Sequence, residues 1–134
     1  MKILFVADPL STFHIKKDST FTMMQEAQAR GLEVWHCDTS DLHWQSGQTV
    51  HAQMQQLHLT AASDKWYSIQ QTCVQPLHAM DAVVMRKDPP FDSEYFYATH
   101  LLSQAEKEGA RVFNQPAALR EHPEKLALME FAEY

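Results

Sequence analysis

The chain has 134 residues, 45% of them hydrophobic, which suits one compact domain burying roughly two thirds of its unfolded surface. A net charge of −6 excludes sequence-independent attraction to nucleic acid or anionic membranes, so any bound anion must be held by a local cluster of cations. Cys37 and Cys73 lie far apart without CxxC spacing, as expected of a reduced cytoplasmic chain, and no segment approaches the roughly 18 apolar residues of a membrane span.

Lys2 to Ala7 is continuously apolar after its first residue and predicts a strand buried on both faces. Its start superficially resembles a secretion signal, but Asp8-Pro9 ends the run too early. Asp18 or Ser19 caps a first helix bearing Phe21, Met24, Ala27 and Gln28, with Gly31 in the position just past the helix end. Leu32 to Cys37 reads as a second strand. From Asp41 to Leu59 the pattern changes: Trp44 to Gln48 reads as a turn, and Val50, Ala52 and Met54 alternate with polar residues, predicting an antiparallel hairpin. Residues 60 to 80 carry a weaker signal, with one short strand expected around Trp66, Tyr67 and Ile69.

Asp81 to Met85 restores the buried-strand pattern. Asp92-Ser93-Glu94 then opens a helix carrying Phe96, Leu101, Leu102 and Ala105, which ends at Gly109. Ala110 to Phe113 is a further strand, Asn114-Gln115-Pro116 leads into a short helical turn, and Pro123 begins a final helix with Leu126, Met129 and Phe131. That helix meets no stop signal before Tyr134, as expected of a chain that continues. Strands alternating with helices predict an α/β, Rossmann-like three-layer domain with a mostly parallel sheet and an appended antiparallel hairpin.

Only Gly31, Gly47 and Gly109 are present, and each is already assigned to a helix end or a turn. Neither GxGxxG nor GxxxxGK[ST] occurs, so a self-contained phosphate-cradling loop is not expected. Eight histidines show no HxxxH or HExxH spacing and read as scattered surface residues, and no serine or cysteine sits in a nucleophile elbow.

Open α/β sheets bind ligands beyond the carboxyl ends of their strands, which directs attention to Val83-Val84-Met85-Arg86-Lys87-Asp88-Pro89-Pro90-Phe91-Asp92. Arg86-Lys87 and Lys16-Lys17 are the only adjacent basic pairs among eleven Lys and Arg residues, and each is followed by an aspartate. Both follow strands expected to neighbour one another, so together they would form a positive cleft. Arg86 is the discriminating member, because its planar fork holds a carboxylate in bidentate fashion; Lys17 adds a point charge. The plainer reading leaves Lys16 and Lys87 solvated, gives Asp18 and Asp92 to helix capping, and makes Asp8-Pro9 a structural turn. Asp88 either orients Arg86, accepts a ligand ammonium group, or serves as a turn acid.

Ala7-Asp8-Pro9, Ile15-Lys16-Lys17-Asp18-Ser19, Glu26 to Gly31 and Met85 to Asp92 together resemble, in order and spacing, the amino-terminal domain of bacterial glutathione synthetase. Tyr97-Ala98-Thr99 and Asn114 to Arg120 extend the resemblance, which is weakest between about 44 and 80. It implies a pre-ATP-grasp substrate-side domain over residues 1–121, with 122–134 starting a helix that leads into an ATP-grasp portion beyond it. It also implies a homo-oligomeric, cytoplasmic ligase that joins γ-glutamylcysteine to glycine through an acyl phosphate. ATP and Mg2+ would bind mainly outside this chain, which alone would not turn over. By position in the matching motifs, Arg86 would clamp a dipeptide carboxylate, Asp88 or Asp18 would meet its amine, and Lys17, Ser19 and Asn114 are further substrate-binding positions. Three alternatives are another ATP-grasp carboxylate-amine ligase, a stand-alone binding domain, and a phosphoacceptor receiver domain, for which Asp8 alone supplies too few acids.

Overall fold

The computed structural model describes residues 1–60, 65–123 and 125–131. Seven strands form one sheet: β1 (Lys2–Val6), β2 (Glu33–Cys37), β3 (Leu42–His43), β4 (His51–Leu59), β5 (Tyr67–Pro76), β6 (Ala82–Met85) and β7 (Val112–Phe113). The helices are α1 (Ser19–Ala29), α2 (Ser93–Lys107) and α3 (Pro116–Glu121). A parallel section runs β2-β1-β6-β7. Beyond β2 the sheet turns antiparallel: β4 pairs with both β2 and β3, and with β5 along its whole length.

The alternation of side chains along β1 explains the three layers. Leu4 and Val6 enter one core with Trp35, Val83, Met85 and the α2 residues Tyr95, Ala98, Leu102 and Ala105. Phe5 points the other way, into a second core with Val34 and the α1 residues Phe21, Met24 and Ala27. The two helices therefore cover opposite faces, as the α/β reading requires. β4 serves both cores in turn: Ala52 and Met54 join the α2 side, Leu57 and Leu59 the α1 side.

Helix boundaries follow local chemistry. Asp18 is the α1 cap, its Oδ1 accepting from the Thr20 and Phe21 backbone N–H groups at 2.7 and 3.0 Å. Asp92 does the same for α2 through Tyr95 N–H at 2.9 Å. Past α1, Gly31 takes a φ of 76°, a left-handed conformation costly for residues with a Cβ. Gln28, on the inner face of α1, clips the end of β4: its Nε2 donates to Leu59 O and its Oε1 accepts Leu59 N–H, at 2.9 and 2.7 Å.

Several expectations change. The expected short strand around Tyr67 and Ile69 is the ten-residue β5, which has one extra residue, Gln70, opposite the Gln56–Leu57 step of β4. Phe96 is not part of the buried stripe of α2; it is exposed, and Thr99 is buried instead. The expected final helix is a 3₁₀ segment, Leu126–Phe131, with Leu126, Met129 and Phe131 exposed. The reading of Ala61 to Asp64 within the weakly patterned stretch, and of Tyr134 as a run-on end, lies outside the described residues. Among the described residues no helix is long and apolar enough to cross a membrane.

Candidate functional site

The parallel pairing of β1 with β6 sets Val6 beside Met85, so the segments that follow, Asp8 onward and Arg86 onward, leave the sheet together at its carboxyl edge. Arg86 N–H donates to Val6 O at 2.7 Å and continues that pairing by one residue. Beyond it lies an open cleft of about 870 Å³, lined by Phe13, His14, Ile15, Lys16, Lys17, Asp18, Ser19 and Asp88.

The two cations of the Arg86-Lys87 pair have different surroundings. Lys87 Nζ donates to Asp8 Oδ1 at 2.6 Å, and both side chains are largely buried. Burial alone would lower the Lys87 pKa, but the hydrogen bond and charge of Asp8 outweigh it and the net shift is upward. The other Asp8 oxygen accepts Asp88 N–H at 2.8 Å. Arg86 is instead held by neutral groups: its Nε donates to Thr20 Oγ1 at 3.1 Å and its Nη2 to Ser19 Oγ at 2.7 Å. Among the described residues Arg86 has no carboxylate partner within ion-pair distance. Its guanidinium is therefore oriented without being neutralised, next to a residue that lines the cleft.

Beneath the Asp8 loop sits His36, only 4% exposed. Its Nε2 lies 3.0 Å from Asp8 O; because a carbonyl only accepts, Nε2 carries the proton and donates. Burial holds the His36 pKa below its ordinary value, against upward pulls from that bond and from Asp38, Asp41 and Asp8. Phe13, from the cleft wall, meets the His36 ring edge-on and stacks on Trp66 at 5.4 Å.

A family model described as the N-terminal domain of prokaryotic glutathione synthetase matches residues 1–120. The chain belongs to this family. It is 52% identical over 134 residues to the glutathione synthetase of Ralstonia nicotianae, covering all of this chain and 41% of that protein. It is also 44% identical over 133 residues to the glutathione synthetase of Vibrio parahaemolyticus, covering 99% and 42%. A third relative, the glutathione synthetase of Pseudomonas aeruginosa, is 38% identical over 133 residues, covering 99% and 42%. The chain thus spans about two fifths of the length of these curated relatives.

In this glutathione synthetase domain the fold brings Lys17, Asp18, Ser19 and Asp88 to one cleft and ties Arg86 to it through Ser19. Asn114 is exposed past the end of β7 and is not among the residues lining that cleft. Asp88 does not orient Arg86, since the two serine and threonine hydroxyls do so. Lys16 is exposed as expected, whereas Lys87 is not a solvated surface lysine. His36 departs from the expectation of surface histidines, because its strand is covered on both faces. The sequence gives Asp8 only a structural turn, reads His36 as a surface histidine and assigns Thr20 no role. Asp8-Pro9 after a buried strand was the available signal for the first; nothing local marks the other two. The Pro89–Pro90 peptide bond, in the turn after Arg86, is cis.

Proposed function

We propose that this domain forms the dipeptide-side wall of an ATP-dependent ligase that joins γ-glutamylcysteine to glycine. The carrying observation is the Arg86 guanidinium, which has no carboxylate partner among the described residues and is aimed by Ser19 and Thr20 beside an open cleft while its neighbour Lys87 is neutralised by Asp8. The identity of the relatives as glutathione synthetases supports the same reading. A dipeptide with two carboxylates and one ammonium suits a cleft that offers Arg86 and Lys17 as cations and Asp88 and Asp18 as acids. Ser19 takes part through its hydroxyl, and Asn114, outside the cleft lining at the neighbouring strand end, is proposed as a more distant substrate-binding position.

The residues lining the cleft do not fit a nucleotide or a closed metal centre. All three glycines have positive φ at chain turns away from the cleft lining, leaving no glycine loop to cradle phosphates. Among the described residues no three His, Cys, Asp or Glu side chains converge on a common point. ATP and Mg2+ are therefore assigned to the remainder of the ligase, where ATP supplies the activating phosphoryl group. We take residues 1–121 as the substrate-side domain and 122–134 as the lead into that remainder. The intact enzyme is proposed to be a cytoplasmic homo-oligomer, and residues 1–134 alone to be inactive.

In an enzyme of the relatives' full length, Arg86→Ala is expected to raise KM for γ-glutamylcysteine at least tenfold while changing KM for ATP little. Equal changes in both would overturn the assignment.

A further inference from the structure

The short strand β3 and the start of β4 set two histidines face to face. His43 and His51 are directly opposite in the antiparallel register. Their ring centroids lie 5.8 Å apart with planes 22° from parallel. No spacing in the sequence announces them as a pair, because the seven residues between them form the connection from β3 to β4.

Both imidazoles are oriented by the backbone in the same way. His43 Nδ1 lies 3.2 Å from Asp41 O, and His51 Nδ1 lies 2.7 Å from Thr49 O. Each Nδ1 must donate, since carbonyl oxygens only accept, so in the neutral ring the lone pair resides on Nε2. A backbone carbonyl on the far ring nitrogen is the outer-shell arrangement that fixes tautomer and ring direction in metal-binding histidines. His43 is exposed and His51 partly so, which leaves the pair open to solvent.

We propose that His43 and His51 form a two-imidazole site for a transition-metal cation such as Zn2+, Ni2+ or Cu2+. Both Nε2 atoms are the protein ligands, and water completes the coordination. Imidazole nitrogen suits these ions, with bonds of about 2.0–2.1 Å to zinc. Directly opposite residues start about 4.5–5.5 Å apart at Cβ, which puts both rings within reach of one shared ion. Among the described residues no third His, Cys, Asp or Glu joins the pair, so the site is exchangeable and solvent-facing, unlike a closed structural centre. Occupancy clips the two-residue β3 onto β4. The site is separate from the cleft, which His43 and His51 do not line.

The test is titration of this chain with ZnCl2 and with NiCl2 by isothermal calorimetry, alongside His43→Ala, His51→Ala and the remote His58→Ala. One ion per chain is expected, with affinity at least tenfold weaker in each of the first two variants and unchanged in the third. The thermal midpoint should rise with Zn2+ in the parent and not in the double variant His43→Gln/His51→Gln, which keeps polar side chains at both positions. Affinity unchanged in either His43→Ala or His51→Ala overturns the proposal. So does a loss as large in His58→Ala.

Discussion

Asp8 and Lys87, 79 residues apart in sequence, meet at 2.6 Å across the carboxyl ends of two parallel strands. The same carboxylate also receives the Asp88 backbone N–H, so one side chain fixes two consecutive residues of the turn that follows Arg86. Asp8→Ala is expected to cost about 2 kcal/mol in chemical denaturation, because it strands a largely buried ammonium and a backbone donor. The folded-state Lys87 pKa is raised, so the pair's contribution is present in full below the ordinary lysine value of about 10.4 and is lost as pH rises through the folded value. The gap between parent and variant should therefore be constant near neutrality and shrink at strongly alkaline pH.

Asp18 caps α1 and also lines the cleft, and two substitutions separate those roles. Asp18→Asn retains an acceptor for Thr20 N–H and should leave the thermal midpoint nearly unchanged. Asp18→Ala should lose about 1 kcal/mol. If the carboxylate meets the substrate amine, Asn at this position raises KM for γ-glutamylcysteine in the full-length enzyme; an unchanged KM would leave Asp18 as a cap only.

His36 makes stability depend on acid. Its folded pKa is depressed by burial, so its stabilising contribution is intact above the ordinary histidine value of about 6.5 and declines as pH falls through the folded value. Denaturation midpoints measured from about pH 7.5 downward should show that decline in the parent. In His36→Gln, which donates to Asp8 O without titrating, this component of the slope should vanish.

Gln28 shows how a polar residue belongs on an inner helix face. It satisfies both backbone groups of Leu59, and Gln28→Ala leaves a donor and an acceptor without their partner at the end of β4. A loss of about 2 kcal/mol is expected by urea denaturation. Hydrogen exchange should quicken at Leu59 before it does at Leu4 in the centre of the sheet.

The central strands, both long helices, their aspartate caps and the helix-ending glycines were legible in sequence because each is decided within a few residues, by apolar runs, capping oxygens and φ. β5 was not, because it is an exposed strand whose pattern is set by pairing with β4 and hardly by burial. The apolar spacing of Leu126 and Met129 suggested a helix with a buried face, yet both are exposed in a 3₁₀ segment. By itself the sequence determined that charge gathers where strands end and that neither GxGxxG nor GxxxxGK[ST] occurs. Only the tertiary structure decided which charges remain available. Parallel pairing of β1 with β6 delivers Asp8 to Lys87 and leaves Arg86 to two neutral hydroxyls, and strand register alone places His43 against His51. Neutralisation is a property of distance, and these distances are set between residues far apart in the chain.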